Sequence, residues 1–207
     1  AVHNRRMQDA DDARDDDFEG ISQAAGAEPT QDASKDARDA ARWEACEDGI
    51  ETLREGDAVG AIAILEAVAK ADPSNPYAFH FLGAAHYERE AWDKALAGYL
   101  QALQLSPQYL GARVGAGQTL RMMGHADRAI RMGKMALMLR RDDPDALFLL
   151  GLCYYQLGER KPAYGFLQRF LATGPEAEVR LEVEGLLNLI RGEVFPGSDD
   201  GDERDDD

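Results

Sequence analysis

The feature of this sequence that most constrains its fold is a repeat with a period of 34 residues. Two ladders of small residues recur at this spacing, one of glycine and one of alanine: Gly49, Gly83, Gly117, Gly151 and Ala61, Ala95, Ala129, Ala163. A fixed period of this length is typical of helical repeats, in which each unit buries its apolar face only against its neighbours. The period therefore predicts an all-α fold, an α-solenoid of stacked helix pairs.

Helix-breaking residues fall near the ends of the helices that this period defines. Three pairs carry the signal: Asn75 with Pro76, Asp143 with Pro144, and Gly174 with Pro175. The first two pairs predict an N-cap followed by proline in the first helical turn, where a missing N–H costs little. The third pair predicts the end of a helix.

The other positions of the repeat complete a recognisable pattern, W-x2-L-G-x2-Y, A-x3-F, P. The second repeat supplies Phe79, Leu82, Gly83, His86, Tyr87, Ala95, Tyr99, Ala102 and Pro107. The fourth repeat supplies Leu147, Leu150, Gly151, Tyr154, Ala163, Leu167, Phe170 and Pro175. This pattern resembles the tetratricopeptide-repeat family, and the resemblance implies four repeats over residues 42–75, 76–109, 110–143 and 144–177.

The first and third repeats depart from the pattern. Arg113 stands where the third repeat should have its first large residue, and Arg141 stands in place of the closing proline. In the first repeat Asp48 and Thr52 replace apolar residues, as expected of a terminal repeat. The third repeat is therefore the altered member inside the array.

The segments outside the repeats differ from each other. Residues 178–191 place apolar side chains on one helical stripe and predict a capping helix: Val179, Val183, Leu186, Leu187 and Ile190. Residues 1–41 carry 11 acids and 5 bases, and residues 196–207 carry 7 acids and 1 base. Like charges with few apolar side chains resist collapse, so we expect a mostly disordered N-terminal segment and a disordered tail over residues 192–207.

Composition excludes several classes of function. A net charge of −16 argues against nucleic acid as the main partner, because phosphate binding requires basic side chains. The longest apolar run, residues 146–155, is about half of what a membrane-spanning helix needs, so we expect no membrane insertion. Cys46 and Cys153 fall in the first and last repeats, which favours free thiols and a cytoplasmic location.

The sequence contains no constellation that would support catalysis. The four histidines include no pair at helical spacing for zinc, and no glycine-rich phosphate loop or nucleophile elbow occurs. We therefore expect no enzymatic activity, no cofactor and no metal.

The resemblance to tetratricopeptide repeats implies a concave groove lined by the first helix of each pair. At the corresponding positions lie the residues of the predicted groove: Tyr77, His80, Phe81, Tyr87, Gly111, Gly115, Gln118, Phe148, Leu149, Leu152 and Tyr155. The first repeat adds Trp43, Cys46, Ile50 and Leu53. Gly111 and Gly115 predict a low point between two aromatic walls, although the same glycines could instead permit close helix approach.

The third repeat predicts a second surface. It holds seven bases and three acids, and five of the six methionines of the chain. We expect Arg131, Met132, Lys134, Met135, Met138 and Arg140 to offer an adaptable contact for an acidic, partly apolar partner. The alternative is that methionine fills gaps and arginine balances neighbouring acids.

The leading hypothesis is a protein-protein interaction module, an adaptor or chaperone that binds an apolar peptide segment in the groove. A self-assembling scaffold, and hence a homo-oligomer, is the second. An apolar groove followed by a C-terminal helix is also similar to bacterial type III secretion translocator chaperones. The sequence lacks the basic and amide residues of the carboxylate clamp found in co-chaperone repeats, since Cys46, Ile50, Phe81, Asp145 and Leu149 occupy those positions.

Overall fold

A computed structural model describes residues 33–194, and this part of the chain forms ten α-helices and no strand. Their bounds are α1 Ala33–Glu44, α2 Glu47–Arg54, α3 Ala58–Ala71, α4 Pro76–Glu88, α5 Trp92–Leu105, α6 Leu110–Met122, α7 Ala126–Leu139, α8 Pro144–Gln156, α9 Arg160–Ala172 and α10 Ala177–Val194. The predicted all-α solenoid is confirmed. The chain divides after Ala40 into two units, and the packing and sites described below lie in the second.

The helices pack in the order in which they follow one another. Each helix from α2 to α9 contacts the next, and the first helices of adjacent pairs also touch, as α4 does α6 and α6 does α8. The last helix, α10, packs on α9. The apolar core is consequently a row of separate clusters along the stack rather than one central core.

The glycine ladder marks the points where helices approach most closely. A Cβ on Gly49, Gly83 or Gly151 would lie 2.6, 2.9 or 2.6 Å from the side chain of Leu65, Tyr99 or Leu167, which sits 16 positions later in the same repeat. The alanine ladder is completely buried. Small residues recur at this period because larger ones would separate the helices of each pair.

The two N-caps and the helix stop predicted from the sequence occur in the structure. The Asn75 carboxamide oxygen accepts hydrogen bonds from the backbone N–H groups of Tyr77 and Ala78, at 3.0 and 3.4 Å. The Asp143 carboxylate accepts one from the N–H of Ala146 at 3.0 Å. Gly174, with φ of +75°, follows the end of α9. Each motif satisfies backbone groups that the helix end leaves without a partner.

The first repeat differs from expectation, because its first helix is broken between α1 and α2. The N–H of Cys46 donates to the carbonyl of Trp43 at 2.8 Å, instead of to the carbonyl of Arg42 as a continuous helix would require. The Arg42 carbonyl accepts from the side chain of Asn75 at 2.9 Å and from the Cys46 thiol at 3.3 Å. Side chains thus satisfy the carbonyl that the break exposes.

The boundaries at the two ends also shift. Helix α1 begins at Ala33, inside the segment expected to lack structure as far as residue 41, and α10 extends the predicted capping helix in both directions. Within α10, Val183, Leu187 and Ile190 are buried against α9. The acidic segments before residue 33 and after residue 194 lie outside the described residues, so the expectation about their disorder stays a prediction.

Candidate protein-binding groove

An apolar cleft of about 350 Å³ lies between the first two repeats. It is lined by residues of α1, α2 and α4: Trp43, Ile50, Leu53, Arg54, Phe81, Ala84 and Glu88. All seven occupy repeat positions from which the family resemblance implies a concave groove. The walls are apolar, and the two charged side chains, one basic and one acidic, lie among them, so the cleft can take an apolar group with polar atoms at its edge.

Aromatic rings hold the Trp43 side of the cleft in place. Trp43 meets Tyr77 and Phe81 edge to face, with ring centroids 5.4 and 5.5 Å apart, yet 41% of it stays exposed. Tyr77 in turn meets Tyr109, the residue before α6, at 5.6 Å. Such contacts restrict the rotamers of large rings, which lowers the entropy cost of presenting them to a ligand.

His80 forms the base of this aromatic group rather than an exposed contact. Its ring lies 4.8 Å from Phe81 and Tyr109 and 5.5 Å from Tyr99. Burial lowers the pKa of His80 from 6.5 to about 4 and raises the pKa values of Tyr99 and Tyr109, so all three are neutral near pH 7. A neutral histidine here keeps the groove wall free of positive charge.

The low point predicted at the two glycines of the third repeat is contradicted at Gly115, which is buried. A Cβ on Gly115 would lie 2.5 Å from the ring of Tyr99, so this ring fills the space that the glycine opens. A Cβ on Gly111 would lie 3.3 Å from the His80 ring. Gly115 therefore allows close helix approach, which was the alternative interpretation, whereas Gly111 is exposed and its place in the groove stays a prediction.

Several other predicted groove residues pack inside the solenoid. Leu149 is 1% exposed and Cys46 is fully buried, so their assignment to an accessible groove is wrong. Phe148 packs against Phe170 of α9, with ring centroids 5.0 Å apart. The guanidinium of Arg160 lies 4.2 Å from the centre of the Tyr155 ring and covers it. The fourth repeat thus uses these side chains mainly for its own packing.

The remaining groove residues are half-buried. Tyr87 contacts Trp92 edge to face at 5.0 Å, at the turn between α4 and α5. Gln118 and Leu152 are partly accessible on α6 and α8. The sequence interpretation did not single out Arg54 and Glu88, although both occupy groove positions and line the cleft. Their common repeat position was the signal that could have identified them.

The second predicted surface lies on α7, and the structure separates its members. Arg131, Lys134, Met135, Met138 and Arg140 are exposed. Met132 does not belong with them, because it packs against the cluster of Leu120, Ile130 and Leu150 beside Gly117. The Met135 sulfur accepts a hydrogen bond from Arg113 at 3.7 Å, and Arg140 forms an ion pair with Asp143 at 3.3 Å.

The arrangement offers surfaces for binding. Among residues 33–194, no group of three or more histidine, cysteine or acidic side chains is placed to hold a metal ion. In the same range, none of the helices combines the length and apolarity needed to cross a membrane. Cys46 and Cys153 are buried free thiols.

The described fold and cleft define a helical-repeat protein that presents the first helices of its repeats on one surface. The tetratricopeptide-repeat family is matched at residues 145–176, which correspond to the fourth repeat. The solenoid as a whole has the tetratricopeptide-repeat fold. It superimposes on the solved structure of TTC0263, a tetratricopeptide-repeat protein of Thermus thermophilus, with a TM-score of 0.62 and 20% identity over 74% of this chain and 83% of that one.

Two further similarities agree with this fold. MamA from Desulfovibrio magneticus superimposes with a TM-score of 0.64 and 18% identity over 73% of this chain and 84% of that one. Superkiller complex protein 3 of Mus musculus is 30% identical over 122 residues, or 58% of this chain. The aligned region is only 8% of the length of the mouse protein.

Proposed function

We propose that this chain is a non-enzymatic adaptor or chaperone that binds an apolar peptide segment of a partner protein. The observation that carries the proposal is the cleft beside Trp43 and Phe81. Its walls are apolar, the Trp43 side chain is 41% exposed, and edge-to-face contacts with two rings of the second repeat hold Trp43 in place. Exposed aromatic anchors in preformed pockets dominate the energetics of protein interfaces.

The chemistry of the cleft defines the segment that it accepts. A volume of about 350 Å³ is at the small end of ligand pockets and suits one or two large apolar side chains, not a whole cofactor. Arg54 and Glu88 supply opposite charges for the polar backbone or side chains of the same segment. The buried free thiols support placing this activity in the reducing cytoplasm.

Peptide selection with the full chain as bait tests the proposal. We expect selected peptides to carry bulky apolar residues and to change the fluorescence of Trp43, measured in a Trp92→Phe background that leaves one tryptophan. Ala84→Glu, which puts a charge into the cleft, should abolish this response. Leu181→Glu, on an exposed leucine of α10, is the matched control and should retain it. Selected peptides that bind both variants equally would contradict the proposal.

Self-assembly into a scaffold is the second candidate. Two leucines of the last helix support it, since Leu181 and Leu189 are 69% and 53% exposed at the end of the stack, where a terminal cap normally presents polar side chains. Light scattering during size-exclusion chromatography separates the candidates, because a scaffold grows with concentration and an adaptor without its partner does not. A role as a type III secretion translocator chaperone remains a narrower form of the first proposal.

A further inference from the structure

A second exposed surface, on the solvent side of α7, is not explained by the cleft. Arg131, Lys134, Met135 and Met138 are spaced i, i+3, i+4 and i+7 and form one continuous stripe along the helix. All four are exposed, and Met138 is 85% accessible. Two basic side chains therefore lie one helical turn before two apolar ones.

Two aromatic rings, Tyr154 and Phe166, lie beside this stripe and contact two cations. The Lys134 ammonium lies 5.7 Å from the centre of the Tyr154 ring, and Tyr154 stacks on Phe166 at 5.6 Å with the planes 2° apart. On the other side, the Arg169 guanidinium lies 5.8 Å from the Phe166 ring. Cation–π contacts thus hold Lys134 against a ring of α8 and Arg169 against a ring of α9.

The surface is also the positive region of an acidic chain. The third repeat has seven bases and three acids, whereas residues 42–109 and 144–195 together have 10 bases and 18 acids. Two of the three acids are already paired, Asp142 with Arg169 at 2.9 Å and Asp143 with Arg140 at 3.3 Å. The third repeat therefore carries a net charge of +4, with Asp127 one turn before Arg131 and Glu159 near Lys134 as the acids on this side, and this balance favours a negatively charged partner.

We propose that this stripe is a docking surface for an acidic segment of a partner protein that also carries large apolar side chains. The carboxylates of the segment pair with Arg131 and Lys134, and its apolar side chains pack on Met135 and Met138. Flexible methionines adapt to varied apolar groups, while the basic pair sets the orientation. The C-terminal tail of the chain itself fits less well, because residues 196–207 contain no large apolar side chain. The acidic N-terminal segment does carry Phe18 and Ile21, so tighter peptide binding after deletion of residues 1–32 would likewise assign the stripe to the chain itself.

Fluorescence anisotropy with the full chain tests this surface. The probe is a short fluorescein-labelled peptide of glutamates interrupted by leucines. In one companion peptide every leucine is replaced by glycine, and in the other every glutamate is replaced by glutamine. We expect the parent peptide to bind more tightly than both companions, and its affinity to fall as salt rises from about 0.05 to 0.3 M, since the screening length of exposed charges shortens from about 14 to about 6 Å over this range.

Substitutions then assign the binding to the stripe. Arg131→Gln with Lys134→Gln should weaken binding by about five- to tenfold, the combined effect of two exposed ion pairs. Met135→Ser with Met138→Ser should remove the preference for the leucine peptide over the glycine peptide. Lys70→Gln with Lys94→Gln, on exposed lysines of α3 and α5, is the matched control and should change the affinity less than about twofold.

The outcomes also distinguish this surface from the cleft. Ala84→Glu should leave binding of the acidic peptide intact, whatever it does to apolar peptides. Equal weakening by the control pair, or equal affinity for the leucine and glycine peptides, would overturn the proposal. Tighter peptide binding after deletion of residues 197–207 would show that the chain's own tail occupies the stripe. That result would contradict the proposal that the stripe binds a partner protein. Equal binding of a labelled oligothymidine would show a general polyanion surface instead.

Discussion

Leu149 of the fourth repeat occupies the space beside Gly117 of the third, where a Cβ would lie 2.5 Å from the leucine Cδ2 atom. In the other repeats the corresponding glycine faces a large side chain 16 positions later in the same repeat. In the third repeat that position is Gly133, which itself faces Leu150 at 2.8 Å. Two leucines from the next repeat thus fill the space that two facing glycines leave.

This relationship predicts the effect of adding one methyl group. Gly117→Ala should destabilise the fold by about 1 to 3 kcal/mol, because the new methyl group overlaps a fully buried side chain. Gly165→Ala is the matched control, since its Cβ would meet no atom within 4 Å in α9. That variant should be stabilised by up to about 1 kcal/mol, as alanine favours helix. Urea unfolding measures both, and two similar losses would contradict the packing described for Gly117.

A second prediction concerns the turn inside the second repeat. Gly56, Gly124 and Gly158 adopt φ of 88°, 79° and 77° at equivalent turns, whereas the second repeat has Glu90 at φ of 54°. A side chain in this left-handed region costs about 1 to 2 kcal/mol of stability. Glycine removes this cost, but it also raises the conformational entropy of the unfolded chain, so only part of the stability is regained. Glu90→Gly should therefore raise the unfolding free energy by about 0.5 to 1 kcal/mol.

The reverse substitution gives the control for that turn. Gly124→Glu introduces the same strain into the third repeat and should lower the unfolding free energy by about 1 to 2 kcal/mol. Thermal melting of both variants checks the pair. A lower melting temperature for Glu90→Gly would mean that the glutamate side chain makes a stabilising contact that outweighs its backbone strain.

A third prediction addresses Asn75, which joins two repeats through one side chain. Its oxygen caps α4, and its nitrogen donates to the Arg42 carbonyl at the break between α1 and α2. Asn75→Ala should cost about 2 to 4 kcal/mol, since it removes a cap and leaves a carbonyl without that donor. Asn75→Ser keeps an oxygen that can cap α4 and loses the amide donor, so chemical denaturation should place its stability between that of the parent chain and that of Asn75→Ala. A serine variant as unstable as the alanine variant would assign the effect to the Arg42 carbonyl alone.

A fourth prediction is the dependence of stability on pH through His80. Its pKa in the folded chain is about 4 and its ordinary value is 6.5, so between these values the unfolded chain binds the proton more readily. The stability is retained above pH 6.5 and is lost as the pH falls towards 4, by on the order of 3 kcal/mol. His80→Phe keeps an aromatic ring in the cluster and should flatten this part of the curve. An unchanged slope in that variant would exclude His80 as its source.

The sequence alone was sufficient for the repeat, its helix pairs and its caps. The Asn75 and Asp143 caps act within one helical turn, and three of the four ladder glycines face a residue of their own repeat, so the 34-residue period was enough to predict them. The groove positions followed from the family resemblance, and the cleft is lined by residues at those positions. That such a groove binds a peptide remains a proposal.

Only the tertiary structure decided which of those positions are accessible. Leu149 and Gly115 have groove positions in the repeat, but Leu149 fills the space beside Gly117 and Tyr99 fills the space beside Gly115. Likewise Met132 and Met138 belong to one spaced series on α7, yet one packs in a core cluster and the other is 85% exposed. Accessibility depends on the size of the side chain that the neighbouring repeat brings opposite each position. A period shows where the positions recur, whereas the facing residue comes from a different helix and is known only when the helices are packed.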